Sequence, residues 1–323
     1  MHEIKEYPFI SIIVPAKNEQ KYISRCLESL DKLNYPKEKL EIIVVDNNST
    51  DQTRDIASGH ENSKLLVADG TISSVRNFGG KQAKGDLLAF LDSDCIPTTD
   101  WLLKAVSTLN KGAEIAVVGA VLELEDLKKS PWIETYWLNY LNLKFQKGIN
   151  YVATISSFCF VVKKNVMEEV DWFNEDLATC EDSDLGYRIS QAGYKLVINE
   201  DIKTVHLRNA KTSKEFFDRQ LWQGGSNLKN FFQHDFEWSE LPSVAVPFVY
   251  LVMLLLFVFA ILSPYPAAKY YAFLVLAFLP VAITLRSDVK LTYKNVVGYS
   301  YIWFLYLLGR GLGMAIKIGR RSK

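Results

Sequence analysis

The sequence predicts an α/β domain with a mostly parallel sheet, followed by C-terminal transmembrane α-helices. Three observations point there. Short β-branched runs alternate with segments whose apolar residues recur at helical spacing. Polar and acidic residues follow one strand after another. Beyond about Leu241 the composition turns to Leu, Val, Phe, Ala and Tyr.

Ile10–Val14 is a short apolar run that stops at Pro15, as a buried strand would. Ile23, Cys26, Leu27, Leu30 and Leu33 then recur at helical spacing. Within Glu41–Asp46, Ile42-Ile43-Val44-Val45 is β-branched and continuous, which suits a strand covered on both faces. Ser49 stands three residues before Gln52, a capping-box spacing that would start a second helix. Leu65–Ala68 and Leu87–Leu91 are further strand candidates, with a small-residue helix from about Ser73 to Lys84 between them. The apolar run Lys195–Ile198 precedes a turn at Asn199-Glu200-Asp201.

Lys+Arg and Asp+Glu both number 37 among 323 residues, so nothing draws the chain toward nucleic acid, and no such partner is expected. Cys26, Cys95, Cys159 and Cys180 form no CxxC pair, which favours small buried residues in a reducing compartment over zinc sites or disulfides. The start, Met1-His2-Glu3-Ile4-Lys5-Glu6, lacks the apolar stretch of a signal peptide and places the N-terminal domain in the cytosol.

In open α/β sheets the ligand sits beyond the carboxyl ends of the strands. Three polar segments fall there: Pro15-Ala16-Lys17-Asn18-Glu19, Asp46-Asn47-Asn48-Ser49-Thr50-Asp51 and Asp92-Ser93-Asp94. Carboxylates at i and i+2 of an extended turn can share one side and offer hard oxygens to Mg²⁺ or Mn²⁺. A cation there can bridge a diphosphate. Glu181-Asp182-Ser183-Asp184-Leu185-Gly186-Tyr187-Arg188 reads as the opening of a helix with Leu185 and Ile189 facing inward. Its acids either answer the helix dipole or supply a general base. His206 is either a structural histidine or a third metal ligand.

Taken together, these blocks resemble the inverting glycosyltransferases of family 2, which have a GT-A fold. The resemblance runs from about Pro8 to Phe232. It rests on Ser11–Glu19, Val44–Thr53, Arg76-Asn77-Phe78-Gly79-Gly80 with Ala83-Lys84-Gly85-Asp86, Asp92-Ser93-Asp94, and Phe173-Asn174-Glu175 with Glu181-Asp182 and Arg188. It implies a donor pocket of Pro15, Ala16, Asn18, Glu19, Asp46, Asn48, Arg76, Asp92 and Ser93, with Asp46 on the base, expected to be uracil, and Arg76 on phosphate or ribose. It implies Asp94, helped by Asp92 and His206, as the metal site. Asp182 would be the catalytic base with Glu181 assisting, and Arg188 and Trp222 would face the acceptor. Asn47-Asn48 departs from an acidic residue and glycine common in the family, which leaves the base and sugar open. Arg219-Gln220-Leu221-Trp222 only loosely matches the signature of processive synthases and favours transfer of a single sugar.

The expected division is a cytosolic GT-A domain over residues 1–235 and a membrane anchor over residues 236–323. Spans are predicted at about 243–262 and 268–286, joined by the turn Ser263-Pro264-Tyr265-Pro266. The third run, Val296–Gly309 and on to about residue 316, is interrupted by Arg310 and reads as interfacial or spanning. With two spans, Arg286, Lys290 and Lys294 share the cytosolic side with Lys317, Arg320, Arg321 and Lys323. Pro131–Gln146 carries Trp132, Tyr136, Trp137 and Tyr140 and is either a core-facing helix or one lying on the membrane surface. The expected enzyme sits in a bacterial or archaeal cytoplasmic membrane as a multi-pass protein. It moves sugar from a nucleoside diphosphate donor to a lipid-linked or glycan acceptor. A sugar nucleotidyltransferase would need a basic Gly-rich loop after the first strand, which is missing. A silent scaffold subunit is the other rival, weakened by the intact carboxylate sites. A channel is disfavoured by too few spans.

Overall fold

The computed structural model describes residues 6–177, 179–233, 241–262 and 264–321. Met1–Lys5, the expected boundary at 235/236, Ser263 of the expected turn and Lys323 lie outside them. In chain order the elements begin β1 (Ile10–Ala16), α1 (Ile23–Asp31), β2 (Leu40–Asp46), α2 (Thr53–Ser58), β3 (Ser63–Val67), α3 (Ile72–Gln82) and β4 (Leu87–Leu91). Next come β5 (Cys95–Pro97), α4 (Trp101–Leu109), β6 (Ile115–Glu123), α5 (Trp132–Asn142), β7 (Ile149–Val152), β8 (Cys159–Lys163) and α6 (Lys164–Glu169). The chain continues as α7 (Glu181–Gln191), β9 (Lys195–His206), α8 (Ser213–Gln233), α9 (Leu241–Leu262), α10 (Pro266–Arg286) and α11 (Tyr293–Arg321).

Two compact units form. One comprises residues 1–125 and 145–208, the other residues 126–144 and 209–323. By their contacts, α5 and α8 group with the C-terminal helices. The first unit holds the sheet, in the order β3-β2-β1-β4-β8-β6-β9-β5 with β7 beside β9. β1, β2, β3 and β4 pair in parallel, as do β6 and β9. β8 runs antiparallel to β4 and β6, and β5 and β7 run antiparallel to β9. The sheet is thus mixed rather than mostly parallel, with β8 inserted antiparallel between β4 and β6.

Burial on both faces explains the continuous apolar strands. Ile10, Ile12 and Val14 of β1 pack with Ile23, Cys26, Leu27 and Leu30 of α1 on one face. Ile13, Ile43 and Val45 pack with Val75 of α3 and Leu185 and Ile189 of α7 on the other. α3 lies close to the sheet because of Gly79, where a Cβ would come 2.7 Å from Ile13 Cγ2 and 2.8 Å from Val45 Cγ2. Gly79→Val is expected to lower stability by about 1–3 kcal/mol, measured as a shifted thermal melt of the full chain in detergent. An unshifted melt would refute the close contact.

Two local expectations are corrected. α2 starts at Thr53, one turn later than a cap at Ser49 would set it; Ser49 Oγ instead accepts from the Asn18 N–H at 2.9 Å. Asn199-Glu200-Asp201 does not end a strand, because β9 runs through it. The ladder with β6 jumps there from Gly119↔Ile198 to Val121↔Lys203, so the excess residues bulge out.

The second unit is helical. α9 is uncharged, 22 residues long and apolar enough to cross a membrane, and it is the one such helix among the described residues. α10 covers the second predicted run, and among the described residues Leu276–Arg286 is a shorter apolar stretch within it. α11 is a single helix of 29 residues, and Arg310 does not interrupt it. The Arg310 guanidinium donates to Gln220 Oε1 at 3.0 Å and Gln223 Oε1 at 2.7 Å and lies 5.1 Å from the Tyr306 ring centre. The aromatic face of α5 packs on α8 and α11: Trp137 meets Phe216 at 5.0 Å and Tyr136 meets Tyr299 at 4.7 Å between ring centres. Of the two readings of Pro131–Gln146, the core-facing one describes these residues, although Trp132 keeps an exposed edge.

Candidate active site

The parallel strands β1, β2 and β4 end at one edge of the sheet, and their loops carry the polar segments singled out above. Pro15 and Ala16 are registered with Val45 and Asp46. Asn18 and Asn48 both adopt left-handed backbone, with φ of 56° and 49°, a conformation asparagine tolerates. Asn18 ties the loops together, its Oδ1 accepting from the Thr50 N–H at 2.9 Å. Asp46 is buried, and its Oδ2 accepts from Arg54 Nη2 at 2.8 Å and from the Ser49 N–H at 3.1 Å. Its Oδ1 is buried with no partner, as is Asn47 Oδ1. A buried acceptor left unpaired is costly, so these atoms suit a ligand's N–H groups.

After β4 the chain turns tightly, the Cys95 N–H donating to the Asp92 carbonyl at 3.0 Å. β5 pairs with β9 so that Cys95 faces His206, and the Leu207 N–H donates to the Asp94 carbonyl at 2.8 Å. These pairings bring His206 Nε2 to 3.6 Å from Asp94 Oδ1. Ligand atoms of Asp94, Cys95 and His206 all lie within 4.8 Å of one another. Burial pushes the Asp94 carboxyl up, and Asp92 adds to this while His206 opposes it. The Cys95 thiol is held protonated by burial and is a poor partner for a hard cation. A carboxylate oxygen and an imidazole nitrogen at this spacing fit one divalent cation, so Asp94 and His206 are the residues that would hold it. Ser93 is buried within the same turn.

Asp92 does not join that pair. Its Oδ1 receives Arg76 Nη2 at 2.7 Å, and Arg76 Nη1 reaches Glu181 Oε1, also at 2.7 Å. Arg76 is buried and spans two carboxylates, at the position where the resemblance implies a contact to donor phosphate or ribose. Glu181 opens α7, and its Oε1 also accepts from Ser157 Oγ at 3.2 Å. Asp182 Oδ2 accepts from the Ser157 N–H at 3.2 Å and its Oδ1 from the Ser183 N–H at 2.8 Å. Burial first, then the Glu181 charge, push the Asp182 carboxyl up to about 6, with Arg76 pulling the other way. Cys180, just before α7, is left-handed with φ of 63°. Glu19 pairs with Arg208 Nη1 at 2.6 Å. Burial raises the Glu19 carboxyl to about 7, Arg208 opposing and Asp94 and Asp92 reinforcing.

Arg188 and Trp222 complete the predicted set. Arg188 turns to Asp184 Oδ2, 2.7 Å from Nη2, and to the Val170 carbonyl, pinning α7 to the end of α6. Trp222 belongs to the helical unit, where it is 63% exposed on α8. Sequence reasoning missed Ser157, which touches Glu181 and Asp182 and had no motif to announce it. It also missed Arg208 and Arg54, whose only signal was a cation shortly after His206 or Asp46.

The mixed sheet has a GT-A-like α/β architecture, and one edge of it combines two buried unpaired acceptors, a carboxylate–imidazole pair able to hold a cation and a raised carboxyl at a helix start. Residues 11–171 match the sequence profile of Glycosyl transferase family 2. Glycosyltransferase AglE of Haloferax volcanii is 34% identical over 231 residues, spanning 69% of this chain and 74% of that protein. The dolichyl N-acetyl-alpha-D-glucosaminyl phosphate 3-beta-D-2,3-diacetamido-2,3-dideoxy-beta-D-glucuronosyltransferase of Methanococcus voltae is 26% identical, covering 64% of this chain and 69% of that one. Mannosyltransferase PcManGT of Pyrobaculum calidifontis, solved with GDP-Man and Mn²⁺, shares the fold at a TM-score of 0.67 and 19% identity, over 99% of this chain and 89% of that one. The chain belongs to the family 2 glycosyltransferases.

Proposed function

We propose that the protein transfers a single sugar, with inversion, from a UDP-linked donor to a lipid-linked acceptor at a membrane surface. The observation that carries this reading is Asp182: a raised, hydrogen-bonded carboxyl on the same unit as the Asp94–His206 pair. The nucleotide would lie across the ends of β1 and β2, with Asp46 Oδ1 accepting from the imide N–H of uracil. Pro15, Ala16, Asn18, Glu19, Asn48 and Ser93 would line the donor pocket around it. A divalent cation, when bound by Asp94 and His206, supplies charge neutralisation for the diphosphate. Asp182 takes the proton of the acceptor hydroxyl as its oxygen bonds the anomeric carbon on the face opposite the diphosphate. The bond between the anomeric carbon and the diphosphate oxygen breaks, and the nucleoside diphosphate leaves with that electron pair. α9 supports a membrane location, with the family domain on the cytosolic side. The Methanococcus voltae relative, named for a dolichyl phosphate-linked sugar, supports the lipid-linked acceptor.

Calorimetry on the full chain in detergent tests the donor class, comparing UDP, GDP and CDP with and without Mn²⁺. Tight binding of UDP that depends on Mn²⁺ is expected, and no binding by folded protein would overturn the enzyme reading. In the same assay Asp46→Ala should weaken UDP about tenfold, through the lost base contact. Equal affinity would remove Asp46 from the base pocket.

A further inference from the structure

Arg76 presents a geometry that donor binding does not explain. Its guanidinium is 3% exposed at the side chain and forms two 2.7 Å ion pairs, to Asp92 at the end of β4 and to Glu181 at the start of α7. The Phe173 ring lies 5.6 Å from the guanidinium carbon and closes one side. Asn77, the next residue of α3, fixes that ring's backbone. It accepts from the Phe173 N–H at 3.0 Å and donates to the Phe173 carbonyl at 2.9 Å. A buried guanidinium between two carboxylates stays charged and holds both in place.

We propose that Arg76 is a positioning residue that ties the metal-bearing turn to the base helix and withholds Glu181 from proton transfer, leaving Asp182 as the single acceptor of the substrate proton. Glu181 Oε1 is committed to Arg76 Nη1 and to the Ser157 hydroxyl. Among the described residues, Asp182 accepts hydrogen bonds from the neutral N–H groups of Ser157 and Ser183. The charged groups that act on Asp182 are Glu181 on its own helix and Arg76 from α3. A neighbouring anion disfavours its ionised form and a neighbouring cation favours it. Arg76 thereby offsets Glu181 and keeps Asp182 a usable base near neutral pH. The inference rests on the assignment of Asp182 as base.

The test uses the full chain in detergent, with UDP-N-acetylglucosamine and GDP-mannose as donor probes and release of nucleoside diphosphate as readout. Arg76→Gln should lower kcat about 100-fold, change donor KM less than about threefold, and move the acidic limb of the pH profile up by about one unit. Glu181→Gln, nearly isosteric, should retain measurable turnover and move the limb down; it is the decisive variant if Arg76→Gln does not fold. Loss of turnover in Glu181→Gln as deep as in Asp182→Asn would overturn the proposal, because Glu181 would then carry the proton. A limb unmoved in folded Arg76→Gln, or a loss confined to KM, would also overturn it and return Arg76 to donor binding. Full turnover in Asp182→Asn is a separate result and would instead refute the base assignment itself.

Discussion

Asp182→Asn should reduce sugar transfer by about 100-fold to 10,000-fold while leaving nucleotide affinity within about threefold. Asparagine keeps the shape and can still accept from the Ser157 N–H, but it cannot take a proton. The wild-type pH profile carries the same information. Asp182 is pushed up to about 6, so the protonated, inactive form predominates below that value and the accepting form above it. The rate should climb with pH up to about 6 and level off beyond it, and this limb should vanish with the residual activity of the variant. Full turnover in Asp182→Asn, or a rate flat across the acidic range, would rule out this base.

Asp94→Ala should remove the Mn²⁺-dependent part of UDP affinity, a loss of at least about 100-fold, while the weak metal-free affinity carried by the base pocket persists. The reason is geometric. His206 Nε2 is 3.6 Å from Asp94 Oδ1, and without that oxygen a lone imidazole and a protonated thiol face the site. His206→Ala should cost less, because the hard carboxylate remains. Calorimetry with and without Mn²⁺ separates the two contributions. Unchanged metal dependence in Asp94→Ala would move the metal elsewhere, with Asp92 and Glu19 the next carboxylates to replace.

The first half of the sheet was legible because its strands are covered on both faces. That burial demands continuous β-branched runs such as Ile42–Val45, and such runs stand out in any sequence. The loops after those strands were legible for a related reason: acids and asparagines next to a buried run have few structural uses. Antiparallel β8 was not legible. Cys159–Lys163 is as apolar as a parallel strand, and its direction shows only in its pairing with β4 and β6, which lie far from it in sequence. The start of α2 was misread because Ser49 and Gln52 have capping-box spacing, yet the Ser49 hydroxyl serves the Asn18 N–H instead. The helical unit hid its composition as well. α5 and α8 look like parts of the soluble domain by charge, but their aromatic faces complete the packing of α11.

By itself the sequence determined the strands that build the nucleotide edge, the acids placed along it, the opening of α7 and one helix long and apolar enough for a membrane. These are local properties: periodicity, composition and the residue that follows a strand. Only the tertiary structure decided how the acids divide their work. It set Asp94 beside His206 through the β5–β9 pairing, turned Asp92 away to Arg76, and carried that arginine across 105 positions to Glu181. Charge pairing between distant segments depends on which side chains folding buries together, and no local pattern in the chain encodes that choice.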